Sequence, residues 1–307
     1  MSSWEDQLKT GLKVLEHLKA STLHAQKTTA DRPAAPIPTV AEVDEKPLPP
    51  VAEQVQGPPS LQSVLSESIF FPPSSVLLGS CEDGVPLHLD LTNPAAGSLL
   101  ICGDPGSGKS RLLSAILTSA AWLNSPEQVS YYLLVRKTDE FSDLADPDHC
   151  QAIQATDKPQ AAELIKELLE EIEIRKRGVP GPAIVLAIDD LANLLRTLDD
   201  SGFSDLYRLV RHGPRMQVWT IATLSTRYLQ WIDRRMLDAF RTHLLGSTTD
   251  ALVARRLAGD IEQFLQSLTA GQQFGVCFRG EWVKFWVCAP KPGKDKEADH
   301  ANRNAVV

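Results

Sequence analysis

The amino-acid sequence predicts an α/β fold: a mostly parallel β-sheet with helices on both faces and a ligand site at the carboxyl ends of the strands. Three observations carry that expectation. Short apolar runs alternate with longer stretches of helical periodicity. A glycine-rich loop, Gly103-Asp104-Pro105-Gly106-Ser107-Gly108-Lys109-Ser110, joins the apolar run Leu99–Cys102 to the helix-like Arg111–Leu117. A second apolar run, Ala183–Ile188, ends in two carboxylates, Asp189 and Asp190.

Composition sets the bounds. With 307 residues and 43% apolar side chains the chain can build a sizeable core. A net charge of −8 argues against a general nucleic-acid coat, although basic residues can still be concentrated on loops. Cys81, Cys102, Cys150, Cys277 and Cys288 form no CxxC pair, so buried free thiols in a reducing compartment are expected rather than disulfides or zinc ligands. No apolar stretch is long enough to span a bilayer and the first residues are polar. A soluble cytoplasmic protein is therefore expected.

Residues 3–20 predict a short amphipathic helix, with Ser3 as its cap and Trp4, Leu8, Leu12, Leu15 and Leu18 on one face. Alone such a helix is marginal, so it docks on the main domain, self-associates or binds a partner protein. Residues 21–60 are rich in Pro and Ala and predict a disordered linker. The globular domain is expected over 61–289. It opens with strands at 76–79 and 85–91 joined by the turn Cys81-Glu82-Asp83-Gly84. The loop strand and its helix, about 109–122, come next, then a buried strand at 129–135 and a long helix at 159–177. The acidic strand 183–188, a helix at 202–211, a strand at 218–223, a helix at 249–258 and a final hairpin at 274–278 and 282–287 complete it. The hairpin is expected to add antiparallel strands at an edge. Residues 290–307 predict a disordered polar tail.

The loop matches the phosphate-binding template G-x-x-x-x-G-K-[ST] at every fixed position. Gly103, Gly106 and Gly108 let bare backbone N–H groups approach phosphate oxygens, and the following helix adds donors and partial positive charge. Lys109 would reach the β- and γ-phosphates, and the Ser110 hydroxyl would ligate Mg²⁺. The expected ATP cradle is the whole loop from Gly103 to Ser110, with Arg111 behind it. At the end of the acidic strand Asp189 would hold the Mg²⁺ shell. Asp190 would orient or deprotonate the attacking water. Thr223, at another strand end, is placed to sense the γ-phosphate. These motifs narrow the fold to the P-loop NTPase, RecA-like kind.

At this point the chain resembles the FtsK/SpoIIIE branch of the FtsK–HerA family of ring-forming P-loop ATPases. The likeness runs from about Leu77 to Ala289. The stretches that carry it are LGSCEDGVPLHLDL before the loop, YYLLVRKTDEFSDL, AIVLAIDDLANLL, IATLST and AFRTHLLGSTTDALVARRLAG. The resemblance implies a hexamer that hydrolyses ATP to move double-stranded DNA; a subset of the family drives protein secretion. There are departures. Asp190 replaces the family glutamate, and Leu224 stands where the sensor glutamine usually is. Ala251-Leu252 replaces a Ser-Arg pair whose arginine reaches the neighbouring subunit's nucleotide. Arg211, Arg215, Arg255 and Arg256 are the substitutes on offer, and Arg136, Lys137 and the 227–235 region are candidate polymer contacts. Two further readings keep the fold: a slow nucleotide-gated adaptor, and a protein-secretion ATPase.

Overall fold

The strands in chain order are β1 (Ser75–Cys81), β2 (Pro86–Asp90), β3 (Leu99–Gly103), β4 (Val129–Val135), β5 (Cys150–Ala155), β6 (Ala183–Ile188), β7 (Val218–Ser225), β8 (Thr242–Gly246), β9 (Gln273–Phe278) and β10 (Glu281–Trp286). They form one sheet in the order β2-β1-β10-β9-β8-β3-β7-β6-β4-β5. The computed structural model describes residues 58–67, 71–146, 148–258, 262–278 and 280–288, all within the unit Gln56–Val307. The expected helix at 3–20, the linker up to residue 57 and the tail from residue 290 lie outside the described residues.

From β8 to β5 every neighbouring pair is parallel. Parallel strands need both faces covered, which explains their nearly unbroken apolar sequences. Helix α1 (Leu61–Glu67) precedes the strands. In β3, Leu99 and Ile101 pack with Leu112, Leu113 and Ile116 of helix α2 (Lys109–Leu123). Leu100 and Cys102 turn to the other face, toward Ile165 and Leu168 of α3 (Pro159–Lys176) and Leu206 of α5 (Asp200–His212). Between the last two helices lies the short α4 (Leu191–Thr197). The period of two in the strand thus sends alternate residues into two separate cores. Trp219 of β7 is fully buried and donates its indole N–H to the Leu91 carbonyl at 3.0 Å.

The remaining strands are antiparallel. The final hairpin does not lie at an edge. It sits between β8 and the β1–β2 hairpin, which forms the edge instead. Gly79 makes this possible, because a Cβ there would come within 2.2 Å of the Trp286 carbonyl oxygen. Helix α3 also carries one buried charge. Arg175 is buried, and its guanidinium donates to Glu171 Oε1 at 2.7 Å and to the Pro182 and Met216 carbonyls. All five cysteines are free thiols, and burial pushes Cys102 and Cys288 up to about 12, which leaves them unreactive. Among the described residues no helix is long and apolar enough to cross a membrane.

Candidate nucleotide site

β3 ends at Gly103 and α2 begins at Lys109, so the glycine-rich loop is the strand-to-helix turn. Gly106 and Gly108 hold φ of +81° and +89°, values that an L side chain resists. Gly108 has a second reason to lack a side chain. A Cβ there would lie 2.8 Å from Gly271 Cα, because the turn before β9 backs onto the loop. Pro105 and Gly106 form the exposed tip, and Ser107 is buried beneath them. Lys109 folds over the loop and donates from Nζ to the Asp104 carbonyl at 2.8 Å and the Gly103 carbonyl at 3.1 Å. Burial, above all, lowers its pKa. Arg111 is exposed on the first turn of α2.

Because β3, β7 and β6 are neighbours, their carboxyl ends bring three motifs together. Ser110 Oγ donates to Asp189 Oδ1 at 2.9 Å, and Thr223 Oγ1 donates to the same oxygen at 2.8 Å. The Asp190 N–H donates in turn to Thr223 Oγ1 at 2.8 Å. Thr223 thus bridges the two acids, a structural link that its position at a strand end did not reveal. Burial raises the Asp189 pKa most, and the nearby Asp190 charge adds to this; the donors from Thr223 and Ser110 and the Lys109 charge oppose it. An adjacent hydroxyl and carboxylate are the donor set of an oxygen-ligated magnesium ion, with water and phosphate completing the shell. Ser110 and Asp189 therefore fit Mg²⁺.

Asp190 holds left-handed backbone angles, φ 70° and ψ 70°, and its side chain caps α4 by accepting from the Asn193 N–H at 3.2 Å. One carboxylate oxygen is therefore engaged by a helix end. The Asp-Asp pair signalled chemistry, but this second task is visible only in three dimensions.

Asp104 is the residue whose role was least foreseen. Its carboxylate accepts from the Thr226 hydroxyl, the Thr248 hydroxyl at 3.1 Å, the Thr249 N–H at 2.7 Å and the Thr249 hydroxyl at 2.9 Å. It clamps the loop to the segments that follow β7 and β8. Burial pushes its carboxyl up, but these hydrogen bonds outweigh burial and hold it below the ordinary carboxylate range. The signal available was a set of hydroxyls just past two strand ends, in Ser225-Thr226 and Ser247-Thr248-Thr249.

Arg227 follows Thr226 and stacks over the Tyr228 ring at 4.6 Å. Helix α6 (Arg234–Ala239) leads into β8. Arg255 and Arg256 lie on α7 (Ala251–Ala258), which follows β8 at the loop's end of the sheet. Arg211 and Arg215 instead precede β7, at the opposite end of the sheet from the loop.

Residues 72–212 match the model of the FtsK/SpoIIIE family. This region of the chain belongs to that family. The DNA translocase FtsK of Helicobacter pylori is 30% identical over 177 residues, which cover 50% of this chain and 21% of the relative. The ESX-5 secretion system protein EccC5 of Mycobacterium tuberculosis is 27% identical over 133 residues, covering 42% of this chain and 10% of that protein. The chain thus spans about a fifth of the FtsK relative's length. In fold it is similar to EssC (ATPases 2 and 3) of Geobacillus thermodenitrificans, with a TM-score of 0.62 at 19% identity over 84% of this chain and 51% of that one. The loop and the acidic strand lie within the matched residues, and Thr223 of β7 lies beyond them.

Proposed function

We propose that the chain is an FtsK-type motor that hydrolyses ATP and couples turnover to the handling of double-stranded DNA, in a ring of identical subunits. The observation that carries this reading is the hydrogen-bonded series Ser110–Asp189–Thr223–Asp190 at the mouth of the phosphate loop. Lys109 supplies positive charge to the transferring phosphoryl group, and the loop N–H groups hold the phosphates in line. Mg²⁺, when bound, neutralises charge on the β- and γ-phosphate oxygens. Water attacks the γ-phosphorus, the β–γ P–O bond breaks, and ADP and phosphate leave. Asp190 orients that water and accepts its proton through the carboxylate oxygen that does not cap α4. Thr223 fixes both acids in position for this step. A neighbouring subunit's arginine completes the charge, as the family resemblance implies.

The likeness to EccC5 supports a second reading in which the same cycle acts on polypeptide. ATP turnover with and without linear double-stranded DNA, using Lys109→Ala as the blank, tests both. A several-fold rise with DNA, lost in the blank, is expected. Turnover above the blank but indifferent to DNA favours polypeptide, and tight ATP binding with turnover no faster than the blank overturns the motor.

A further inference from the structure

The chain is acidic overall, yet three arginines from separate segments converge at the end of the sheet remote from the phosphate loop. Arg211 lies in the last turn of α5, Arg215 in the turn Gly213–Met216, and Arg241 precedes β8; together they line a cavity of about 340 Å³. Its wall is built rather than incidental. Ser98 Oγ donates to the Val210 carbonyl at 2.8 Å, the Arg241 N–H to the Ser98 carbonyl at 3.1 Å and Thr242 Oγ1 to the Ala96 carbonyl at 2.7 Å. Gly97, with φ of +64°, leaves room for the Arg241 stem, since a Cβ there would come within 2.7 Å of it. The one carboxylate lining the cavity, Asp238, lies 3.6 Å from Arg234. Among the described residues none of the three arginines is paired with a carboxylate.

His212, beside them, registers the field: burial first, then Arg211, Arg215, Lys176 and Arg208, lowers its pKa. A helix C-terminus favours cations and accounts for Arg211 and His212, but not for Arg215 and Arg241, which lie outside that helix. Holding like charges together without a counterion is unfavourable, so the cluster fits an anion brought by a ligand. Guanidinium groups match phosphate with two parallel hydrogen bonds. Among the described residues no Phe, Tyr or Trp lines the cavity, and His212 is the one aromatic ring there. Three guanidinium groups around one cavity suit the phosphates of a phosphodiester backbone.

We propose that Arg211, Arg215 and Arg241 form a backbone-contact site for duplex DNA, separate from the nucleotide site. The inference rests on the DNA reading above. Its test measures binding of a labelled linear duplex by the full chain carrying Lys109→Ala, without ATP, across a salt series. The slope of log affinity against log salt falls by about 0.9 for each arginine that meets a phosphate, about 2.7 for R211A/R215A/R241A. The variant R211K/R215K/R241K keeps most of the slope, because the charge is retained. All three sites are exposed, so unchanged thermal unfolding is expected and checks the fold. If the Lys109→Ala chain binds no duplex, the DNA reading itself fails. If it binds and the triple alanine variant has the same slope, the reading stands and this site is refuted. Equal loss of binding to poly-glutamate makes the cluster a site for acidic polypeptide and also refutes it.

Discussion

Replacing Thr223 by valine removes one hydroxyl from a position that is 2% exposed, and the shape is otherwise kept. Two hydrogen bonds go with it. One is the charge-assisted bond to Asp189 Oδ1, and the other is accepted from the Asp190 N–H. A bond to a charged group contributes about 1.5 to 3 kcal/mol net, and a neutral one about 1 kcal/mol. The loss is therefore about 3 kcal/mol, and the unfolding midpoint falls by about 6 to 12 °C for a domain of this size. Thr223→Ser keeps the hydroxyl and removes one buried methyl, which costs about 1 kcal/mol. Thermal unfolding of the two variants without nucleotide, followed by ATP turnover, is the assay. A bridge between the acids requires the serine variant to recover both stability and turnover. Equal damage by valine and serine would falsify the bridging role and make Thr223 a packing residue. Unchanged stability in the valine variant would show that the hydroxyl has no such role in the folded chain.

Asp190→Asn keeps the helix cap and tolerates the left-handed backbone but removes the carboxylate. It should unfold within about 0.5 kcal/mol of the parent and lose on the order of 100-fold in turnover, the scale of general-base catalysis. Asp190→Ala should lose about 1 kcal/mol as well, from the missing cap. Asp104→Ala should destabilise by about 2 kcal/mol: four hydrogen bonds to a charged group are removed, but the carboxylate is only half-buried and water offsets most of their sum. The Asp104 carboxyl is held below its unfolded value, so its contribution is complete above the unfolded pKa and fades as pH falls through the folded one. The difference between parent and variant should thus shrink on acidification in urea unfolding. Lys109→Ala should abolish the stabilisation by Mg²⁺·ATP that, at a hundred times Kd, is about 2.7 kcal/mol, or about 5 to 10 °C in the parent.

Strand β5 (Cys150–Ala155) was not foreseen, and its composition explains why. Gln151 and Gln154 interrupt it, its other residues are only half-buried, and it exists by pairing with β4 at the sheet edge. Helix α4 was likewise hidden, because a run as short as Leu191–Thr197 is marginal alone and depends on the Asp190 cap and on Leu191 and Leu194 entering a core. The longer helices and the buried parallel strands were legible because their periods record which faces are covered.

What the sequence determined by itself is local: a strand, a glycine loop with Lys109 and Ser110, and an apolar strand ending in Asp189 and Asp190. Each needs a residue type at a fixed spacing, so a short window holds the whole signal. The tertiary structure alone decided what is shared across strands that lie far apart in the chain. Thr223 reaches Asp189 because β7 lies between β3 and β6, and Asp104 meets Thr226 and Thr249 because β7 and β8 flank the loop strand. Strand order also gathers Arg211, Arg215 and Arg241 around one cavity. Hydrogen bonds and fields act over a few ångströms of space, and only the packed sheet brings those side chains within that range.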